Sequence, residues 1–177
     1  MRKLKLDELN RPGLEAYRAQ AKLPLTVLLD NVRSGLNVGS VFRTADAFAL
    51  EQLILCGITA RPPHREILKT AIGATESVAW TYRAGAAQAV AAWKARGYHV
   101  LGVEQTDESI PLPAWRWPAE TSLLVLFGNE VEGLSDEVLP LLDQAVEVPQ
   151  FGTKHSLNVS VCAGIVLWEF LRQYRFG

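Results

Sequence analysis

The chain has 177 residues, 49% hydrophobic and 21% charged, and its 18 Lys and Arg against 19 Asp and Glu leave a net charge of −1. That length makes one domain with room for a real core. The charge balance excludes a global basic field, so a nucleic-acid partner must meet a local patch. No apolar run is long enough to span a membrane, and Met1-Arg2-Lys3-Leu4-Lys5-Leu6-Asp7 lacks the apolar core of a signal peptide, so the chain reads as cytoplasmic. Cys56 and Cys162 stand alone in apolar segments. They read as buried thiols, and no CxxC pattern or ligand cluster points to a metal.

Residues 1–23 form a short basic extension in which six cations (Arg2, Lys3, Lys5, Arg11, Arg18, Lys22) face three anions (Asp7, Glu8, Glu15). A solvated helix around residues 14–21 is the first reading, and an arm for RNA phosphates the second. The domain proper spans 24–177. Its first strand, Leu25-Thr26-Val27-Leu28-Leu29, shows little alternation, as expected of a strand buried on both faces. A helix is predicted over residues 37–49, with Val38, Val41, Phe42 and Ala45 on an apolar arc and Asn37, Ser40, Arg43 and Thr44 on a polar one. Gly39 permits a close backbone approach there.

Leu53-Ile54-Leu55-Cys56 is the second predicted strand. The loop after it carries Arg61, Pro62, Pro63 and Arg65 and is a candidate RNA contact. A short helix or turn is expected within 67–77, and an alanine-rich helix over 84–96 that stops at Gly97. Residues 98–103 form the third strand. Residues 109–121 read as irregular, with Trp115 and Trp117 covering a core or an interface rather than stacking on bases. The fourth strand, Leu123-Leu124-Val125-Leu126-Phe127, runs into Gly128-Asn129-Glu130-Val131-Glu132-Gly133. Ser135 is placed to cap a short helix over 136–142, and a last strand over 145–148 stops at Pro149. A loop with Gly152, Lys154 and His155 then leads to Ser156 as N-cap of an apolar helix over 159–171. A helix apolar almost all the way round belongs in a core or an oligomer interface.

The order of elements predicts an α/β fold, a parallel sheet with helices on both faces. Three polar turns then converge at the strands' C-terminal ends, where such sheets bind ligands. There is no P-loop, no GxGxxG after the first strand and no GxSxG elbow. What is left is a site of backbone groups, small polar side chains and one Arg.

Three motifs carry a resemblance: Asn31-Val32-Arg33-Ser34-Gly35-Leu36-Asn37-Val38-Gly39-Ser40-Val41-Phe42-Arg43-Thr44-Ala45, Leu126-Phe127-Gly128-Asn129-Glu130-Val131-Glu132-Gly133-Leu134, and Val148-Pro149 with Ser156-Leu157-Asn158-Val159-Ser160-Val161. In this order they resemble the SpoU/TrmH family of RNA ribose 2′-O-methyltransferases, of the SPOUT superfamily, over roughly residues 24–172. The resemblance implies a C-terminal trefoil knot, a homodimer, and S-adenosyl-L-methionine as donor of a methyl group to a ribose 2′-hydroxyl of tRNA or rRNA. A base methyltransferase, or an RNA-binding module without catalysis, is the alternative on the same fold.

By position, Asn37, Arg43, Glu130, Ser156 and Asn158 match the family's catalytic or structural motif residues. Gly128, Val148 and Leu157 match positions whose backbone holds the cofactor, and Glu104 ends the strand beside them. Arg33, Arg61, Arg65 and Lys154 are the RNA-facing candidates. Gln150 and Phe151 depart from the family's usual small residues or methionine. No RNA-binding domain beyond the lead-in is expected. A guanidinium keeps its charge, so Arg43 is expected to hold a phosphate and stabilise a developing 2′-oxyanion rather than take its proton.

Overall fold

The computed structural model describes residues 1–177, Leu6 by its backbone alone. Among the described residues there are seven strands: β1 Leu23–Asp30, β2 Leu50–Cys56, β3 Trp80–Arg83, β4 His99–Val103, β5 Ile110–Pro111, β6 Leu123–Phe127 and β7 Gln144–Glu147. They form one sheet in the order β3-β2-β1-β6-β4-β7-β5, and every pair is parallel. The helices are α1 Leu14–Ala19, α2 Gly35–Ala47, α3 Arg65–Ala71, α4 Ala74–Ser77, α5 Ala86–Lys94 and α6 Val159–Phe176.

The strands lack alternation because both faces are covered. Leu23, Leu25, Val27 and Leu29 pack into the core formed with α2 and α6, and Leu28 into a second core with α5. The connections explain the two layers. The chain steps from β1 to β2 to β3 through α2, α3 and α4, then reverses direction across the sheet through α5 to β4. Right-handed crossovers running in opposite directions place their helices on opposite faces.

Two strands escape the sequence pattern. β3 is a short edge strand with partly exposed residues, and β5 is a two-residue strand inside the proline-rich stretch. The helix expected over 136–142 is instead a single 3-10 turn, Leu139–Leu141, with Pro140 inside it. Ser135 does not cap it. Its backbone N–H and hydroxyl both donate to Asp30.

Ser156 is not the cap of α6 either. That role falls to Asn158, whose Oδ1 accepts from the backbone of Ser160 (3.0 Å) and Val161 (3.3 Å). α6 is also two-sided. Val159, Ala163, Val166, Leu167 and Phe170 are buried, whereas Val161, Ile165 and Trp168 are 53%, 41% and 51% exposed.

Both central tryptophans of the proline-rich stretch pack on the buried side of α6. Trp115 lies 4.6 Å from Phe170 and donates its Nε1 hydrogen to Gln144, and Trp117 meets Phe170 edge-on at 6.1 Å. In the N-terminal extension α1 is mostly solvated, but Tyr17 is buried and Arg18 Nε donates to the carbonyl of Glu76 at 3.2 Å.

Gly39 does allow a close approach, and the approaching element is α3. A Cβ there would run into Thr70 Oγ1 and the Ile67 carbonyl. Gly39→Ala gains about 1 kcal/mol of helix propensity but overpacks a helix–helix contact at a cost of about 1–3 kcal/mol. We expect a net loss of stability of about 1 kcal/mol, read as a lower denaturant midpoint with unchanged m.

Candidate active site

The C-terminal ends of β4, β6 and β7 open onto a cleft of about 280 Å³. Its walls are Val103 and Glu104 from β4 and the turn after it, Phe127 to Gly133 after β6, Glu147 and Val148 after β7, and His155 to Leu157 before α6. Parallel strands deliver all these turns to the same edge of the sheet.

The loop after β6 is folded by its own polar groups. Asn129 and Gly133 exchange backbone hydrogen bonds of 3.0 and 3.2 Å, and Asn129 Oδ1 accepts from Val131 and Glu132, each at 2.9 Å. Gly128 has to be glycine, because a Cβ would strike the backbone of Gly133 and Leu134. Two carboxylates then anchor the returning strand of the loop. Glu104 accepts from Leu134 N (2.9 Å) and Gln105 N (3.0 Å). Asp30, 1% exposed at the end of β1, accepts from Ser135 N (2.9 Å) and Ser135 Oγ (2.6 Å), and also holds Asn31 Nδ2 at 2.8 Å.

A hydrogen-bonded chain of side chains joins three distant segments at the lip of the cleft. Asn37 Nδ2 donates to Glu130 Oε1 at 2.7 Å, and Asn37 Oδ1 accepts from Asn158 Nδ2 at 3.1 Å. The second contact spans 121 residues of sequence. Because Asn158 also caps α6, the same chain fixes where that helix begins.

Six of the sequence-derived site residues line the cleft: Glu104, Gly128, Glu130, Val148, Ser156 and Leu157. Asn37 and Asn158 stand at its edge through the bonds just described. Arg43 does not line it. It lies six residues beyond Asn37, about 9 Å farther along α2, is exposed, and borders two neighbouring grooves. Arg33, Arg65 and Lys154 are exposed and do not line the cleft, and the Arg61 guanidinium stacks over Tyr82 at 4.1 Å.

Gln105, Glu132, Glu147, His155 and Cys162, none of them among the sequence-derived site residues, also line the cleft. Glu147 carried a usable signal, as the last residue of a strand at the ligand-binding edge. Cys162 carried none, since its segment reads only as core. Its thiol is pushed up to about 11, first by burial and then by the charge of Glu104, and so stays protonated. The lining is acidic, with Glu104, Glu130, Glu132 and Glu147 and, among the described residues, no Lys or Arg. Among the described residues, no group of three or more His, Cys, Asp or Glu could hold a metal ion, and no helix is long and apolar enough to cross a membrane.

The sequence profile of the SpoU rRNA Methylase family matches residues 24–168, which takes in all three motifs and, but for the first residue of β1, every strand. The chain belongs to this family. Among SpoU relatives, it is 31% identical to the Neisseria meningitidis 23S rRNA (guanosine-2′-O-)-methyltransferase RlmB over 85% of the chain and 59% of that protein. It is equally 31% identical to the Thermus thermophilus tRNA (guanosine(18)-2′-O)-methyltransferase, over 94% of the chain and 84% of that enzyme. The crystal structure of an AdoMet-bound rRNA methyltransferase from Sinorhizobium meliloti superposes with a TM-score of 0.79 at 26% identity, covering 93% of this chain and 60% of that one. The chain thus spans less than two thirds of several SpoU proteins it matches.

Asp30 tests how far the SpoU site depends on its buried carboxylate. Asp30→Ala strands the Ser135 N–H and the Asn31 amide, and should cost about 2–3 kcal/mol. Ser135→Ala, which removes only the hydroxyl bond, should cost about 1 kcal/mol. Thermal unfolding of both variants checks the ratio.

Proposed function

We propose that the protein transfers a methyl group from S-adenosylmethionine to a ribose 2′-hydroxyl of tRNA or rRNA. The observation that carries this reading is the Glu130–Asn37–Asn158 chain, which ties the three family motifs together at the lip of one cleft. The relatives named for guanosine 2′-O-methylation and the AdoMet-bound neighbour support it.

The cleft suits the cofactor in two respects. Apolar Phe127, Val148 and Leu157 stand beside the close backbone approach that Gly128 allows. The four lining carboxylates favour a ligand of net positive charge, as a sulfonium with an amino-acid tail is. Bound there, S-adenosylmethionine would supply a methyl group already activated by its sulfonium leaving group.

The chain's own residues would do the rest. The backbone at Gly128, Val148 and Leu157 holds the donor, and Glu104 keeps the loop after β6 in place. Asn37, Ser156 and Asn158 orient the ribose, with Glu130 fixing Asn37. Arg43 holds an RNA phosphate and stabilises the developing 2′-oxyanion.

A homodimer is part of this reading. Its support is the outward face of α6, where Val161, Ile165 and Trp168 are exposed and Phe48 lies 6.0 Å from Trp168. Contiguous apolar surface of this kind marks an interface. That Arg43 borders no cleft of its own chain fits its delivery to the cleft of a second copy. The trefoil knot belongs here too, supported by the return of segment 148–157 past the loop after β6 before α6 packs on α2. So does a division into the 1–23 extension and a 24–177 methyltransferase domain, acting in the cytoplasm.

Single-turnover methyl transfer to an unmodified tRNA transcript and to 23S rRNA, with 2′-O-methylnucleoside read by mass spectrometry, tests the activity. Arg43→Ala should lower the rate on the order of 10²–10³-fold and leave cofactor affinity intact. A product methylated on the base would overturn the ribose assignment. Gly128→Val should abolish S-adenosylmethionine binding in calorimetry while circular dichroism stays native. Sedimentation should give a dimer at micromolar concentration, and a stable monomer would remove the interface on α6.

A further inference from the structure

Outside the cleft, the surface of α2 carries two adjoining grooves. One lies between α2 and α3 and is bordered by Ser40, Arg43, Thr44, Lys69 and Thr70. The other lies where the N-terminal extension crosses α2, and its border includes Arg11, Arg43, Asp46 and Ser77. The grooves share Arg43, Ala47 and Ile72 on their borders, with Lys69 bordering one and Arg11 the other.

These three cations are uncommitted. Among the described residues, the lysine and arginine ion pairs are Arg2–Glu8, Lys94–Asp143 and Arg172–Glu169, and none involves Arg11, Arg43 or Lys69. The first groove has no carboxylate on its border. In the second, Asp46 accepts a hydrogen bond from the Ser77 hydroxyl.

The hydroxyls of the first groove have already spent their hydrogens on helix carbonyls. Ser40 and Thr70 donate to Leu36 O at 2.9 and 3.0 Å, and Thr44 donates to Ser40 O at 3.2 Å. What the groove offers a ligand is therefore positive charge from Arg43 and Lys69, with no hydroxyl donor to read a base edge. Two cations without a carboxylate beside them suit the phosphates of a polyanionic backbone.

We propose that Lys69, Arg43 and Arg11 form a phosphodiester track that holds the RNA backbone across α2, with Lys69 and Arg11 as positioning residues. The proposal rests on the methyltransferase reading for the identity of the polyanion. It also accounts for the contrast between the two surfaces. Four carboxylates line the cofactor cleft, so phosphates are repelled there and held on α2, and only the target ribose enters.

The test is binding of an unmodified tRNA transcript to the full chain over a range of salt concentrations, with steady-state methyl transfer in parallel. Lys69→Gln and Arg11→Gln should each weaken binding several-fold. Each should make the slope of log K against log salt shallower by about 0.7–0.9, the share of one phosphate contact. The KM for RNA should rise in step, while kcat and S-adenosylmethionine affinity hold. The loss should be equal for transcripts of unrelated sequence, and Lys69→Arg should restore the wild-type slope. Both residues are exposed, so unfolding temperatures should not move.

Unchanged slopes and KM in both Gln variants would overturn the track, as would a loss that Lys69→Arg fails to rescue. Slope changes in the two Gln variants together with no methyl transfer by the wild-type chain would overturn the methyltransferase reading and leave the track standing. Methyl transfer with slopes unaffected would do the reverse.

Discussion

One amide side chain holds the site together. Asn37 uses its two ends differently, donating from Nδ2 to the Glu130 carboxylate and accepting at Oδ1 from Asn158. An amide offers both donors and an acceptor on one short, planar, uncharged head. An aspartate would set a second negative charge against Glu130, and an alanine would leave both partners unmatched. Through this contact the start of α2, the loop after β6 and the cap of α6 become one rigid unit. Asp30 and Glu104 brace the same loop from beneath, by accepting from Ser135 and Leu134.

The parallel sheet makes that junction reachable. β6 lies between β1 and β4, so the loop after β6 emerges between α2, which follows β1, and the turn that follows β4. The crossover through α5 on the opposite face leaves α2 and α6 together on one side. The cleft is bounded by the loops after β4, β6 and β7 and by the segment before α6, with carboxylates and apolar side chains in its lining. It needs no long cationic side chains, and among the described residues its lining has none.

The chain is nearly neutral overall, yet its charge is strongly partitioned. Carboxylates gather in the cleft and unpaired cations on the adjoining surface of α2 and α3. A small protein with no global basic field can still meet a polyanion when the attraction is local and the repulsive charges sit where the polyanion must not lie. The outward face of α6 adds a third kind of surface, apolar and continuous with Phe48 of the α2 end.

The sequence by itself determined the parallel α/β character, because apolar runs too continuous for a one-faced sheet alternate with helices. It also marked the three motif turns, since glycines and short polar groups at strand ends have no use in a core. It failed at β3 and β5, which are short edge strands without an apolar run, and over 136–142, where Pro140 and the pull of Asp30 on Ser135 override local helix capping. It misplaced the cap of α6 by two residues, because Ser156 and Asn158 are equal candidates until Asn37 engages one of them. Only the tertiary structure placed Arg43 outside the cleft and beside Lys69 and Arg11. The helical period fixes which arc of α2 a residue occupies, but what that arc faces depends on segments packed against it from elsewhere in the chain.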